Sequence, residues 1–416
     1  MSFLKAKNKQ LWSWCLYDFA NQPFATVIIT FIYSSFFTKV IANNEVIGVK
    51  LWTNGIAVTA IIVSLISPLI GAVADVKNLR KFFFISSTCI CCLFTTALYF
   101  PESGDMYFAI TIFVIANIFY EIACVFYNSF LLDISNINNR GSISGFAWGF
   151  GFIGGLISLF IALFFFNVDN SEEIRKITVL VGIWMFFFSI PSFFFLKNNI
   201  KINIKNNKLN VFKSFIKTFK SLSKHRLTRD FLIARIFYND GLITIFSLGG
   251  IYAVGVLNFS FREVLILGIV LNISAAIGSF VFGYIEDKIG VLRVINITLI
   301  VLIIATFLAY LAPNTHYPKP LFWFSGFLIG LMIGPNQSCS RSLMGSLTPK
   351  KQKSEFFGFF ALTGKATSFL GPFLYGIISS LYGQQEALWV VIIFFILGFI
   401  FFNKIEFNYL NSHNEV

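Results

Sequence analysis

Twelve apolar runs follow one another along this chain, at residues 15–38, 53–74, 82–100, 107–131, 143–166, 177–196, 231–256, 263–285, 293–312, 321–344, 356–380 and 387–403. Each is close to the roughly 20 residues that a helix needs to cross the hydrocarbon of a bilayer. A chain of this kind is solvated by lipid, not by water. Of the 416 residues, 56% are hydrophobic and 12% are charged, where a soluble domain carries about 25% charged residues, so the polar surface is too small to cover a globule. A net charge of +13 raises the question of nucleic acid. The basic residues, however, sit at the ends of the apolar runs and are not interleaved with stacking aromatics, which is the pattern that sets membrane topology.

The segment Lys197–Arg229 holds ten Lys and Arg and no acid, and it parts six apolar runs from six. The expected organisation is therefore an N-terminal half over 1–196, a basic cytoplasmic linker over 197–230 and a C-terminal half over 231–416. Lys and Arg gather in the alternate connections on the linker's side, so both termini are expected in the cytoplasm. Within the linker, Phe212, Phe215, Ile216, Phe219 and Leu222 recur at helical spacing opposite Lys213, Lys217, Lys220 and Lys224, which predicts an amphipathic helix resting on membrane lipid. The N-terminus has Lys5, Lys7 and Lys9 before its first run but no small-residue cleavage site after it, so no removed signal peptide is expected. The cysteines Cys15, Cys89, Cys91, Cys92, Cys124 and Cys339 all fall inside apolar runs without metal or redox spacing and read as packing residues. His225, His316 and His413 lie in loops or the tail. No metal or cofactor is called for.

Two short connections repeat. Between the second and third runs the chain reads Gly71-Ala-Val-Ala-Asp75-Val-Lys77-Asn-Leu-Arg80-Lys81, and between the eighth and ninth it reads Gly283-Tyr-Ile-Glu-Asp287-Lys288-Ile-Gly290-Val-Leu-Arg293. Gly and Asp recur at one offset of 212 residues, the mark of two related six-helix halves built by duplication. Glycine lets two helices approach closely, and a carboxylate at a helix end can bond to the positive N-terminus of a neighbouring helix and to nearby Arg and Lys. Gly71, Asp75 and Arg80, with Gly283, Asp287 and Arg293, are thus the candidate gating loops. They resemble the signature of the major facilitator superfamily.

A closer resemblance rests on Tyr17-Asp18-Phe19-Ala20-Asn21, on Asn128-Ser-Phe-Leu-Leu-Asp133, on Tyr238-Asn239-Asp240-Gly241, and on Ser340-Arg341-Ser342 through Glu355-Phe356-Phe357-Gly358 with Gly364-Lys365-Ala366. Together these are similar to the vacuole-effluxer-like branch of that superfamily, whose fungal members are associated with releasing amino acids from the vacuole and whose bacterial members mostly lack an assigned substrate. The resemblance covers nearly the whole chain. It departs at Phe19, where the family usually has Trp, and at Gln22-Pro23, which replaces a commoner small pair and alters the bend and lining of the first span. The resemblance implies that spans one, four, seven and ten line a central cavity and that one half rocks against the other.

Some motifs imitate other chemistry. Gly149-Phe-Gly151-Phe-Ile-Gly154 fits a dinucleotide fingerprint but lies within an apolar helix. With Gly145 and Gly155 it forms four-residue glycine spacings that let helices pack backbone to backbone. Gly364-Lys365 has neither the spacing nor the hydroxyl of a phosphate loop, so no enzyme or nucleotide motor is expected. Gly371-Pro372 marks a kink or a packing site in the eleventh run.

A charge in the bilayer centre costs on the order of 3 kcal/mol, so such residues face a wet cavity or a partner. Glu121 sits near the middle of the fourth run, with Asn117 and Asn128 on the same face. Lys365 lies roughly 14 Å into the eleventh run at the helical rise. Neither has a counterpart in the other half, where the offset lands on Ile333 and Phe152. They read either as a buried ion pair or as a zwitterion site, Lys365 taking a carboxylate and Glu121 or Asp18 an ammonium, with Glu121 also a candidate to exchange a coupling proton. Asp18 with Asn21, and Asp240 with Asn239, read either as lining the cytoplasmic side of the pathway or, for the two acids, as capping or pairing with neighbouring helix ends. Arg235 and Arg341 are expected to reach up to the cytoplasmic surface in preference to contacting substrate. The expected fold is thus an all-α membrane protein of twelve transmembrane helices in two pseudo-symmetric six-helix halves. The expected function is secondary active transport of a small polar solute, an amino acid by resemblance, by a monomer that uses protons. The alternative is a non-transporting lipid-handling protein or receptor on the same fold.

Overall fold

An apolar run in lipid has no water to satisfy its amides and closes its own hydrogen bonds as helix. The computed structural model describes residues 2–42, 44–168, 170–198, 222 and 225–414, and every regular element among the described residues is helical. The predicted amphipathic helix of the linker lies outside the described residues. Helix α1 (Ser2–Pro23) continues through π-helical turns at Phe24–Phe31 and Phe37–Ile41. It is followed by α2 (Glu45–Lys77), α3 (Arg80–Ala97), α4 (Met106–Ser129), α5 (Arg140–Phe165) and α6 (Ser171–Phe195). After the linker come α7 (Arg226–Leu257), α8 (Phe261–Ile289), α9 (Val291–Leu311), α10 (Pro318–Leu347), α11 (Lys353–Lys365), α12 (Leu370–Tyr382) and α13 (Gln384–Asn414).

Among the described residues nine helical stretches are long and apolar enough to cross a membrane. The third, tenth and eleventh expected spans are helical but fall outside that nine. Helix α3 has only 18 residues and opens on Arg80 and Lys81, α10 carries the polar run Asn336–Ser342, and the eleventh span is divided between α11 and α12. The division has a local cause. Pro372 has no N–H to give to the carbonyl of Ser368, and its ring crowds that carbonyl. The chain before it tightens into turns, with Ser368 N–H on Lys365 O at 3.3 Å and Leu370 N–H on Thr367 O at 2.8 Å.

The chain forms two compact units. The first contains Met1–Ser135, Phe150–Val211 and Lys350–Ala361; the second contains Asn136–Gly149, Phe212–Pro349 and Leu362–Val416. In the first, Trp14 stacks on Tyr127 at 4.7 Å, and the two exchange hydrogen bonds with each other's backbone carbonyls at 2.9 Å each. The buried Tyr17 hydroxyl meets Thr88 at 2.9 Å. In the second, Tyr238 meets Ser340 at 2.8 Å and Tyr252 donates to Ala309 O at 3.0 Å. Polar tips of buried rings are thus satisfied inside each unit, as a low-dielectric interior requires. Large apolar side chains such as Phe164, Phe165, Phe187 and Phe194 stand more than half exposed, a surface suited to lipid and not to water.

Candidate functional site

The glycine run of α5 shows how helices are brought close. In the second unit, a Cβ on Gly145 would collide with the Ser279 carbonyl, and one on Gly149 would meet the Phe280 ring at 2.7 Å. In the first unit, a Cβ on Gly154 would collide with the Phe19 carbonyl, and Gly151 packs against Asp18. Backbone contact of this kind is open only to glycine. That contact fixes the part of α1 that carries Asp18 and Asn21.

Pro23 shapes the same stretch. It has no N–H for Phe19 O, and the Trp184 indole donates to that carbonyl at 3.3 Å. Beyond Pro23 the helix widens into π turns, a geometry that re-aims side chains and recurs at functional sites. Phe19 itself is buried among Phe150, Trp184 and Phe188, with ring centroids at 5.0, 5.2 and 5.0 Å. Asn21 is buried and its Nδ2 reaches Asp18 Oδ1 at 3.5 Å, while Asp18 is half-buried. On α4, Asn117 is buried and its Oδ1 has no hydrogen-bond partner among the described residues. Glu121, half-buried, lies one turn on. Tyr120 stacks on Phe24 at 4.8 Å and lies in the field of both Asp18 and Glu121. The first unit therefore gathers two acids and two amides in an otherwise apolar setting.

The second unit gathers a base and amides at the break between α11 and α12. Because the turn at the break diverts Ser368 N–H to Lys365 O, the Gly364 carbonyl loses its helical donor, and Asn239 Nδ2 supplies one at 3.1 Å. Gln337 Nε2 reaches Asn239 Oδ1 at 3.4 Å. Thr367 donates to Asp240 Oδ1 at 3.2 Å. Lys365, half-buried, ends α11. Asp240 falls close to the middle of the 32-residue α7 and is fully buried. Arg235 and Arg341 correct the expectation that they reach for the surface: both are buried. Arg235 Nη1 donates to Thr363 at 3.2 Å, and Arg341 donates to the Ser144 hydroxyl at 3.0 Å and its carbonyl at 2.8 Å. Those acceptors hold the guanidinium forks inside.

The two repeated loops have matching geometry. Asp75, near the end of α2, accepts from Ser354 N–H at 3.1 Å and Glu355 N–H at 2.9 Å, in the first turn of α11. Asp287, near the end of α8, accepts from Gly141 N–H at 2.9 Å and Ser142 N–H at 3.0 Å, in the first turn of α5, and the Ser142 hydroxyl adds a third bond. Each carboxylate thus takes two orphan amides at a helix N-terminus, where the backbone dipole favours negative charge. The glycines match too. A Cβ on Gly71 would collide with the Ser354 carbonyl, and one on Gly283 would meet Gly141 O at 2.9 Å.

The arginines of the loops do not match. Arg80 pairs with Asp133 at 2.5 Å, and Lys353 reaches the other oxygen of Asp133 at 2.6 Å, all three buried. Arg293 is exposed. In the second unit Arg140 stands where Lys353 stands in the first, but it donates to the Ser346 hydroxyl at 2.7 Å because Ser346 occupies the place of Asp133. Sequence reasoning missed Asp133, Arg140 and Lys353 as parts of this machinery. Aligning the halves at an offset of 213 pairs Arg140 with Lys353 and would have shown both cations.

Among the described residues no three His, Cys, Asp or Glu side chains gather as a metal ion would need. An apolar cavity of about 370 Å³ in the first unit, lined by Lys9, Trp12, Leu16, Phe150 and Phe195, contains none of the expected site residues.

Comparisons with known proteins agree with this architecture. The model of a family described as vacuole effluxer Atg22 like matches residues 44–409. A Bacillus subtilis relative, the MFS-type transporter YxiO, is 26% identical over 410 residues, 95% of each chain. Autophagy-related protein 22-1 of Aspergillus fumigatus is 24% identical over 274 residues, which cover 58% of this chain and 44% of that protein. Among solved structures, a bacterial homologue of the iron transporter ferroportin in an outward-facing state superposes with a TM-score of 0.73 at 14% identity, covering 96% of this chain and 99% of the other. The transporter FucP in the outward conformation gives 0.72, also at 14% identity, over 97% and 99%.

Proposed function

Because the chain belongs to the vacuole effluxer Atg22 like family, and is an integral membrane transporter of the major facilitator type, we propose that it moves an amino acid across a bacterial plasma membrane by alternating access, coupled to protons. The observation that carries the reading is the buried Asn117 amide oxygen, left without a partner among the described residues, one turn from Glu121 in an apolar helix. An unsatisfied buried acceptor costs about 1–3 kcal/mol, and a polar solute arriving at α4 recovers that cost. A zwitterion matches the chemistry of these side chains. Asp18 and Glu121 receive its ammonium, Asn21 and Asn117 its polar edges, and Lys365 its carboxylate, with Asn239 in support.

Asp75 and Asp287 serve the gate. Each holds the start of a helix drawn from the other half of the sequence, so their bonds form and break as the halves 1–196 and 231–416 rock. The termini lie in the cytoplasm and the protein acts as a monomer. The test is uptake of labelled amino acids by proteoliposomes holding the full chain. Glu121→Gln and Lys365→Met each lower flux at least tenfold. Wild-type flux in both variants would sink the zwitterion site.

A further inference from the structure

Asp240 is in an unusual electrostatic position. Its carboxyl is fully buried near the middle of α7. One oxygen accepts from Thr367, while Oδ2 has no hydrogen-bond partner among the described residues. No Lys, Arg or His among the described residues forms an ion pair with it. On α7 itself, Arg235 is turned to Thr363 and Tyr238 to Ser340. From the elements packed against α7 come Lys365 at the end of α11, Tyr375 on α12, which bonds to Gln384 O at 3.3 Å, and Cys339 and Arg341 on α10, the latter held by Ser144. Helix α8 carries its charges at its ends, at Arg262, Glu263, Glu286, Asp287 and Lys288, and α13 has Glu386 and Lys404 away from its middle. A buried carboxylate with one neutral donor and no counter-charge is not a stable resting species, since the desolvation cost is several kcal/mol and nothing offsets it.

The surroundings suit a mobile proton better than a fixed partner. Asp240 faces the interruption between α11 and α12, where Gly371 sits directly against the Asp240 carbonyl and Thr244. Interrupted helices at membrane depth are where transported ions are held. Thr367, itself partly exposed, donates to the buried carboxyl from the turn at the break. We propose that Asp240 is the group that binds and releases the coupling proton, with Oδ2 as the atom that takes it up. Uptake from water on one side turns the carboxylate into a neutral acid that needs no counter-charge, and release to water on the other side restores the carboxylate. This assignment rests on the transport reading above and moves the coupling role from Glu121 to the second unit, leaving Glu121 to the solute.

The test uses the full chain in liposomes and has two parts. Infrared titration of the wild type shows a protonated-carboxyl carbonyl band that disappears as pH rises; Asp240→Asn removes that band, Asp240→Glu keeps a displaced one, and Glu121→Gln retains it. In transport, a gradient of one pH unit supports about a tenfold accumulation of solute when one proton moves with each molecule. Asp240→Asn, a permanent mimic of the neutral acid, falls to an accumulation of about one while still exchanging labelled for unlabelled solute. Exchange that persists also shows that the variant is folded. A band unchanged in Asp240→Asn, or accumulation driven by a sodium gradient in place of a pH gradient, would overturn the assignment. If the wild type moves no amino acid, the transport reading fails on its own, and the infrared titration still decides whether Asp240 is the protonated group.

Discussion

Replacing Asp75 by Asn tests the gate with one atom changed. The carboxylate takes two amides of α11, at 3.1 and 2.9 Å. Hydrogen bonds to a charged group contribute about 1.5–3 kcal/mol each, and a negative charge at a helix N-terminus adds roughly 0.3–1 kcal/mol. Asparagine keeps one oxygen, so one of the two bonds survives as a neutral pair. The other amide then faces an NH₂ group. A net loss of about 3 kcal/mol follows, on the order of 100-fold in the equilibrium between the state that makes this contact and the state that lacks it. The assay is labelling of single cysteines on exposed positions of α1 and α7 by a membrane-impermeant reagent applied from either side, in a chain whose six native cysteines are replaced. Asp75→Asn moves labelling from the external to the cytoplasmic side, while solute affinity within the competent state changes little. Asp287→Asn gives a shift of the same sign, because its two amide bonds have the same geometry. Labelling that stays unchanged in both variants refutes the gating argument, whatever happens to transport.

Three further outcomes follow from the packing. Asp133→Asn strips the buried Arg80 and Lys353 of their shared acid and costs roughly 3–5 kcal/mol, whereas Ser346→Ala at the matching place costs about 1 kcal/mol; equal melting temperatures for the two variants would contradict the asymmetry of the networks. Gly154→Val forces a side chain onto the Phe19 carbonyl and ring, and overpacking of this kind costs about 1–3 kcal/mol, so the purified variant melts several degrees lower. Removal of Lys208–Lys224 lowers transport more than membrane insertion, measured as flux per inserted molecule; equal losses would leave the linker a role in topology alone.

The helical membrane fold was legible in the sequence because burial in lipid writes itself as unbroken apolar length, and a run such as 53–74 needs no tertiary information to be recognised. The repeat of Gly71 and Asp75 at Gly283 and Asp287 was legible for a similar reason, as both copies meet the same local demand at a helix end. Partners far apart in the chain were not. Nothing near Asp133 announces Lys353, 220 residues away, and the burial of Arg341 depends on Ser144, 197 residues away. The eleventh span shows the limit of local signals. Gly371-Pro372 marked a kink or a packing site, yet the consequence lies about two turns earlier, where the freed Gly364 carbonyl meets Asn239. Pro23 likewise signalled a change in the first span, but that its unpaired carbonyl would be taken by Trp184 followed only from the fold.

The central claim is that this chain carries an amino acid across the membrane. Purified full-length protein in liposomes, offered each labelled amino acid with and without an imposed pH gradient, tests it most directly. The account predicts saturable uptake of at least one of them, raised by the gradient and lost in Lys365→Met. Uptake no greater than that of protein-free liposomes for every amino acid, with and without the gradient, would contradict it.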